Sequence, residues 1–219
     1  MTTAPAITDA HTHCLTATQA VISVSPEEFN PQPGLLYSVG IHPWQSGEPG
    51  ADALLPMLER CASHHQVVAV GETGLDPLRG APLDVQTRLM RAHIAIASAA
   101  GKPLVVHCVR TSQQVLHLWH DTSADRRTPW MVHGFRSNER VLAPLAHAGL
   151  YISYGMRFNA AALQATPRRQ MLIETDDSPL GIDATAGAVA LSLGITAQAV
   201  KALTQANAAK FFFYAKTSL

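Results

Sequence analysis

The sequence predicts a compact α/β chain with the architecture of a TIM-like (β/α)8 barrel. Eight short apolar runs recur along its 219 residues, and segments with apolar residues at helical spacing lie between many of them. Several runs, such as VVAV, PLVVH and MLIET, are continuously apolar, which is typical of parallel strands covered on both faces. The length lies at the short end of the range of ~200 to over 400 residues for such barrels. We therefore predict one domain over residues 1–219.

The apolar runs give the predicted strands in chain order. They cover residues 6–11, 19–24, 35–41, 67–72, 104–108, 129–134, 150–154 and 170–175. Helical spacing predicts the helices, in the segments ADALLPMLERCASHH, LDVQTRLMRAHIAIASAAG, SQQVLHLWHD and SNERVLAPLAHAG and in the tail TAQAVKALTQANAAKFFF. Two of these segments close on glycine, as helices often do.

The first two connections between strands do not suit ordinary crossover helices, because the first is too short and the second is interrupted by prolines. About seven residues separate predicted strands 1 and 2, whereas a helical crossover needs a dozen or more. The next connection, SPEEFNPQPG, begins as a helix would, with Ser25, Pro26 and Glu28 in a capping-box pattern, but it meets Pro31 and Pro33 at once. We expect a barrel in which one or two early helices are reduced or missing.

The composition excludes several classes of protein. Sixteen basic residues balance sixteen acidic ones, so no global charge favours nucleic acid. Three scattered cysteines do not form a disulfide framework and indicate a reducing compartment. The segment MTTAPAIT has no secretory pattern, and no apolar run approaches the ~18 residues of a membrane span. We expect a cytoplasmic protein with no membrane association and no obligate protein partner.

Polar side chains recur at or shortly after the carboxyl ends of the predicted strands, where barrel enzymes build their sites. In the opening stretch ITDAHTHC, strand alternation places Asp9, His11 and His13 on one face. The full set at strand ends is His11, His13, His42, Glu72, His107, His133 and Asp176. One such residue would be unremarkable, but its repetition at equivalent places predicts a common site.

Imidazole and carboxylate groups without thiolates suit zinc, manganese or magnesium. The set suffices for two divalent metal ions ~3.5–4 Å apart that activate a water molecule. Asp176 would ligate one ion and accept the proton of the attacking water. A carboxylated lysine is excluded as a bridge, because the lysines at 102, 201, 210 and 216 do not end strands. The bridging ligand would then be Glu72.

The motifs DAHTH, VGIHP, VGETGLD, VVHC, VHGF, YISYG and LIETDDSP, in this order, resemble those of the TatD family of metal-dependent hydrolases. The family consists of amidohydrolase-like barrels, several of them DNases, and the resemblance covers residues 7–214. It implies a first metal held by His11, His13, Glu72 and Asp176, and a second held by Glu72, His107 and His133. It places His42 beside the substrate.

The sequence also departs from the family pattern. The helix after the first strand is missing, Arg110 stands one residue later than the family's usual arginine after His-Cys, and SPLGIDATAG lacks an Arg- and Asn-containing segment. Arg110, Arg136 and Arg157 follow strands 5, 6 and 7, where they would reach a phosphate or pair with nearby acids.

Three functions stay open. The first is hydrolysis of phosphodiester bonds at DNA ends, and the second is hydrolysis of a small phosphomonoester, lactone or amide. The third is a non-catalytic barrel that binds metal or a partner. We expect Glu174 and Asp9 to support the site from behind, and Cys14 and Cys108 to be small buried fillers. The remaining histidines, 64, 65, 93, 117, 120 and 147, are expected at the surface or in packing.

Overall fold

All eight predicted strands are present in the computed structural model, which describes residues 5–214. They are hydrogen-bonded in chain order within one sheet, and each pair whose register is described is parallel. The strands are β1 (Asp9–Thr12), β2 (Ala20–Val24), β3 (Leu36–Val39), β4 (Val67–Leu75), β5 (Leu104–Cys108), β6 (Trp130–Val132), β7 (Tyr151–Tyr154) and β8 (Met171–Ile173). A parallel bridge joins Thr12, at the end of β1, to Asp176, which follows β8. This is the strand order of a (β/α)8 barrel, as the sequence predicts.

Seven α-helices lie between or after the strands in the described part of the chain. They are α1 (Leu55–Ala62), α2 (Leu83–Ala100), α3 (Ser112–Asp121), α4 (Glu139–His147), α5 (Ala160–Ala165), α6 (Ile182–Leu193) and α7 (Ala197–Phe212). Short 3-10 helices cover Pro43–Gly47, Ala51–Leu54 and Arg168–Gln170. The five predicted helices correspond to α1, α2, α3, α4 and α7.

The early helices are absent, as expected. Seven residues without helix join β1 to β2. After β2, the backbone N–H of Glu28 donates to Ser25 Oγ at 3.3 Å and the N–H of Ser25 donates to Glu28 Oε2 at 3.1 Å, so the capping box forms. It caps a turn rather than a helix, because the proline-containing stretch that follows cannot continue one.

The end of β4 lies three residues beyond its predicted position. Every residue of the strand is buried, and Glu72 lies inside it rather than at its end. Gly74 permits this extension: it has a φ of +152°, and a Cβ there would collide with the backbone carbonyl of His107 on the paired strand β5. Glu72 and His107 therefore lie on two paired strands, β4 and β5.

The described residues group into two compact units. The central unit is Ser23–Val132, and the terminal unit combines the residues up to Ile22 with those from His133 onward. The single domain over residues 1–219 stays a prediction. In the described range no single helix is long and apolar enough to cross a membrane, although α6 and α7, bent by 106°, pass that test as a pair.

Candidate metal centre

The terminal unit brings together three of the predicted ligands. His11 lies in β1, His13 directly follows that strand, and their rings have centroids 5.1 Å apart. The backbone N–H of Asp176 donates to the carbonyl of His11 at 2.9 Å, and that of His13 donates to the carbonyl of Asp176 at 3.1 Å. These two backbone hydrogen bonds hold the acid beside both imidazoles. Asp176 has a φ of 56°, a left-handed conformation that Asp tolerates better than most residues.

The side chains of this group fit a divalent cation. The Nε2 atoms of His11 and His13 lie 3.7 and 3.6 Å from the same oxygen, Asp176 Oδ1. Both separations exceed the length of an ordinary hydrogen bond, and one atom of each residue lies within 4.8 Å of the others. Two imidazoles facing one carboxylate oxygen form a donor set that zinc or manganese accepts.

His133 and Glu174 extend this group. His133 directly follows β6, its ring centroid lies 4.2 Å from that of His11, and its Nδ1 lies 3.4 Å from Glu174 Oε1. Glu174 is fully buried, and its Oε1 also accepts the backbone N–H of Gly134 at 2.6 Å. Burial alone would raise the pKa of Glu174, but the hydrogen bond and charge of His133 outweigh it and lower that pKa. Glu174 thus supports His133, and it also offers a ligand atom in a group with His133 and Asp176.

Asp9 supports the same cluster from behind. Its Oδ2 accepts the hydroxyl of Thr175 at 2.6 Å, and its Oδ1 accepts the backbone N–H groups of Thr175 at 3.0 Å and His11 at 3.3 Å. Burial raises the pKa of Asp9 to about 6, although the hydrogen bonds from Thr175 oppose that rise. The side chain therefore ties β1 to the residue before Asp176. We call His11, His13, His133, Glu174 and Asp176 the terminal-unit cluster.

The central unit contains a second group of donors. Glu72 Oε1, which is buried in β4, lies 2.9 Å from His42 Nε2 and 2.8 Å from His107 Nδ1. Both separations are hydrogen-bond lengths to one carboxylate oxygen. The three ligand atoms lie within 4.8 Å of one another, so they too could hold a metal ion. We call His42, Glu72 and His107 the central-unit cluster.

The ring of His42 is oriented by the turn that it caps. His42 is the N-cap of the Pro43–Gly47 helix, and its Nδ1 accepts the backbone N–H of Trp44 at 3.2 Å. Because Nδ1 is an acceptor, a neutral His42 carries its proton on Nε2 and donates it to Glu72. The predicted role of His42 beside the substrate stays a prediction, whereas its place in the donor group is visible.

Asp76 is a residue of this site that sequence reasoning missed. It directly follows β4, and its Oδ2 lies 3.5 Å from His107 Nε2 and accepts the indole N–H of Trp44 at 2.7 Å. Burial would raise the pKa of Asp76, but the hydrogen bonds from Trp44 and from the backbone of Leu78 outweigh it, and the pKa is lowered. The signal was the strand-end rule itself, because Asp76 is the strand-end acid once β4 reaches Leu75.

The three arginines that follow strands β5, β6 and β7 differ in their neighbours. Arg136 is exposed, and its Nη2 lies 3.9 Å from Asp176 Oδ2. Arg136 and Arg157 both line a cavity of about 200 Å³ whose wall includes Glu174 and Asp176. Arg110 is exposed and makes no ion pair with any acid of the described chain.

The two cysteines near the ligands, which the sequence predicts to be small buried fillers, differ in burial. Cys14 is exposed, because β1 has already ended at Thr12, and its thiol lies 3.6 Å from the hydroxyl of Thr16. Cys108 is half-buried, and its thiol lies 3.7 Å from the hydroxyl of Thr111. The filler prediction is wrong for Cys14.

Comparisons with known proteins agree with this fold. The family model described as TatD related DNase matches residues 17–213, so His11 and His13 precede the matched part. The chain is 32% identical over 152 residues to a Mycobacterium tuberculosis protein called "uncharacterized metal-dependent hydrolase TatD", covering 64% of this chain and 56% of that one. It is 30% identical over 162 residues to "3'-5' ssDNA/RNA exonuclease TatD" of Musicola paradisiaca, covering 66% and 58%. The chain thus spans less than two thirds of the length of these relatives.

Solved structures give the same fold. YJJV, a TatD homolog of Escherichia coli K12, matches with a TM-score of 0.77 at 21% identity, over 90% of this chain and 86% of its own. A TatD family hydrolase from Entamoeba histolytica matches with a TM-score of 0.73 at 13% identity, over 98% of this chain and all of its own. The chain has the TIM-like barrel fold and belongs to the TatD related DNase family.

Proposed function

We propose that this chain is a metal-dependent hydrolase that cleaves phosphodiester bonds at the ends of single-stranded nucleic acid. The observation that carries the proposal is the approach of two imidazoles, those of His11 and His13, to one oxygen of Asp176 beside an arginine-lined cavity. Family membership supports the metal chemistry, and the exonuclease named among its relatives supports the substrate class.

The donors would hold two divalent ions, zinc, manganese or magnesium. We assign His11, His13, Glu72 and Asp176 to the first and Glu72, His107 and His133 to the second, with Glu72 as the bridge. When bound, such ions lower the pKa of a water molecule and stabilise negative charge on a phosphoryl oxygen. The absence of thiolates from the donor set and the buried acid behind His133 both support this assignment.

The two oxygens of Asp176 face different neighbours, which supports two roles. Oδ1 faces the imidazoles of His11 and His13, whereas Oδ2 lies on the side of Arg136. Oδ1 would act as a ligand, and Oδ2 would accept the proton of the attacking water. The Arg136 and Arg157 guanidinium groups at the cavity would bind the phosphate, since planar guanidinium groups suit phosphate oxygens.

The net charge of the protein and the volume of the cavity favour the end of a nucleic-acid strand, rather than a long duplex, as the substrate. The formal net charge is zero, and each phosphate contact along a nucleic acid needs its own cation. A cavity of about 200 Å³ is smaller than the ~300–1,000 Å³ of typical ligand pockets, so it suits one terminal phosphate group rather than a whole oligonucleotide. The small-molecule hydrolase and the non-catalytic barrel stay as alternatives that the experiment below separates.

The direct test supplies manganese, zinc or magnesium and measures turnover on two sets of substrates. One set is end-labelled single-stranded DNA and RNA, and the other contains phosphomonoesters, lactones and amides. We expect stepwise loss of terminal nucleotides that weakens as salt rises. Turnover of small esters alone would favour the small-molecule hydrolase, and metal binding without turnover would favour the non-catalytic barrel.

The variant Glu72→Ala tests the assigned bridge. We expect turnover to be abolished and the metal content, measured by elemental analysis, to fall, because the variant removes a ligand shared by both ions. Glu59→Ala, an exposed glutamate of α1, is the matched control and should keep both. Full activity in Glu72→Ala would contradict the bridging role.

We also propose that the protein works in a reducing compartment such as the cytoplasm. Cys14 and Cys61 form no disulfide bond, as expected where disulfides do not persist. We also propose that the reaction needs no obligate protein partner.

A further inference from the structure

The loop after β4 is fixed by one buried glutamine. Gln86, in α2, is 1% exposed, and its Oε1 accepts the backbone N–H of Asp76 at 2.7 Å. Its Nε2 lies within hydrogen-bond distance of three carbonyl oxygens of the loop, those of Asp76 (2.9 Å), Arg79 (2.9 Å) and Ala81 (2.7 Å). One interior side chain thus secures the backbone on both sides of Arg79, so the loop has a defined shape.

This loop places Arg79 over an exposed aromatic ring. The Arg79 guanidinium carbon lies 3.6 Å from the centre of the Trp44 ring, within cation–π distance. The indole is 40% exposed, and its N–H is held by Asp76. Its ring centroid lies 4.6 Å from that of His42 and 5.7 Å from that of His107. The stacked pair, which we call the Arg79–Trp44 pair, therefore borders the central-unit cluster.

The charge of Arg79 is not neutralised by a neighbour. Arg88 and Arg91, on the adjacent helix α2, each pair with an aspartate, Asp52 and Asp121, at 2.6 and 2.9 Å. No acid of the described chain lies within 4.0 Å of the Arg79 guanidinium, which is exposed. A guanidinium held over a ring keeps N–H groups available for a ligand and loses little freedom on binding. Arg79 has the properties of a preorganised anion contact.

We propose that Arg79, held over Trp44, binds the backbone phosphate next to the one being cleaved in a single-stranded nucleic acid. This inference rests on the proposed function, because it assumes phosphodiester cleavage at the donor clusters. One indole ring separates the guanidinium from His42, so a substrate must continue past the reacting bond to reach Arg79. Arg79 would therefore select oligonucleotides over esters that carry a single phosphate.

The test is binding of a fluorescent single-stranded phosphorothioate oligonucleotide, which resists cleavage, measured by anisotropy over a range of salt concentrations. Loss of one charge-assisted contact in Arg79→Ala should raise Kd about tenfold. It should also reduce the slope of log K against log salt by about 0.7, the value for one single-strand phosphate. Arg91→Ala removes the same charge from a paired arginine and should change neither quantity. Both variants should keep the wild-type turnover of a small chromogenic phosphodiester.

Arg79→Lys separates charge from stacking. A lysine keeps the charge but not the planar contact, so the salt slope should stay at the wild-type value while Kd rises about threefold. Trp44 also gives a direct signal, because Trp119 and Trp130 are buried and acrylamide reaches Trp44 preferentially. Oligonucleotide binding should protect the wild-type fluorescence from acrylamide.

The outcomes distinguish this inference from the proposed function. An unchanged Kd and salt slope in Arg79→Ala, with wild-type cleavage of oligonucleotides intact, would overturn the inference alone. Arg79-dependent binding without any cleavage by the wild type would overturn the proposed function alone. Neither binding nor cleavage by the wild type would overturn both.

Discussion

The terminal-unit and central-unit clusters use the same kinds of donor, but different buried groups support them. The terminal-unit cluster includes the buried acid Glu174, which supports His133, and a second buried acid, Asp9, lies behind the cluster. The central unit also has a buried acid beside its cluster, Asp76, but two neutral buried side chains, Gln86 and His93, hold the backbone around that cluster. In the terminal unit acids support the imidazoles from behind, whereas in the central unit two neutral side chains fix the backbone.

His93 shows how the neutral support works. Its Nε2 accepts the backbone N–H of Ile41 at 2.9 Å, and its Nδ1 donates to the carbonyl of Leu89 at 2.8 Å. The side chain is fully buried in α2, and it holds the residue that precedes His42. Burial lowers the pKa of His93 to about 4, so the ring is neutral at pH 7.

The distances between imidazole nitrogens and carboxylate oxygens also differ between the two clusters. In the terminal-unit cluster the imidazole nitrogens lie 3.6–3.7 Å from Asp176, beyond hydrogen-bond length. In the central-unit cluster they lie 2.8–2.9 Å from Glu72. Charge behind the ligands raises affinity for a cation, whereas fixed backbone around the ligands positions loops and substrate. We infer that the terminal unit contributes more to metal affinity and the central unit more to geometry.

Asp176→Asn should give the largest effect. It removes a negative charge from the terminal-unit cluster and also removes the proposed proton acceptor. We expect kcat on end-labelled oligonucleotides to fall by about 10²–10⁴-fold, the usual contribution of a general base. Metal content should fall without being lost, since the other donors stay in place. Asp183→Asn, in which an exposed acid paired with Lys201 is replaced, is the control and should behave as the wild type. A kcat within threefold of the wild type in Asp176→Asn would remove the proton-acceptor role.

The pH dependence of the free energy of unfolding should reveal the contribution of neutral His93 to the stability of the central unit. Since the pKa of His93 falls from 6.5 to about 4 on folding, the unfolded chain binds a proton below pH 6.5 that the folded chain does not. Its contribution is therefore fully present above pH 6.5 and is lost as the pH falls towards 4, by about 3 kcal/mol in the free energy of unfolding. Urea unfolding at pH 7 and at pH 4.5 measures the loss.

His93→Gln keeps an acceptor and a donor but cannot be protonated in this pH range. The difference in unfolding free energy between the two pH values should shrink in this variant. His65→Gln, at an exposed histidine of the same unit, should retain the wild-type difference. If His93→Gln also retained it, another group would be responsible for the pH dependence.

The sequence predicts the parts of this molecule that follow from periodicity. All eight strands and the missing early helices are readable because apolar runs and prolines act locally. Helix α6 was not predicted, because its sequence, IDATAGAVALSL, is apolar around most of its circumference and shows no helical period. Helix α5 has only six residues, too few for a period to appear.

The sequence predicts those residues of the site that lie at the ends of strands. The strand-end rule selected His11, His13 and Asp176, which the terminal unit brings together. It missed Asp76 because the end of β4 depends on the close approach of Gly74 to a neighbouring strand, which no local pattern encodes. The Arg79–Trp44 pair was missed for a similar reason, since two loops that are distant in the sequence meet there.

Glu174→Gln tests the charged support of the terminal unit and should give the smallest of these three effects. The amide is nearly the same size and keeps an oxygen to accept the N–H of Gly134, but it removes the negative charge next to His133. Residues that support a ligand from behind usually change metal affinity by about 10–100-fold, and we expect a loss in that range with the fold unchanged.

Metal affinity for this variant is measured by competition with a chelator, and the fold by circular dichroism. Glu139→Gln, at an exposed acid in the first turn of α4, should keep the wild-type affinity. If Glu174→Gln kept it too while Gln86→Ala lost it, the roles of the two units would be reversed, with fixed backbone rather than buried charge setting the affinity. A loss confined to Glu174→Gln is the result that the hydrogen bond to Gly134 and the contact with His133 lead us to expect, because only that variant removes charge from behind a ligand.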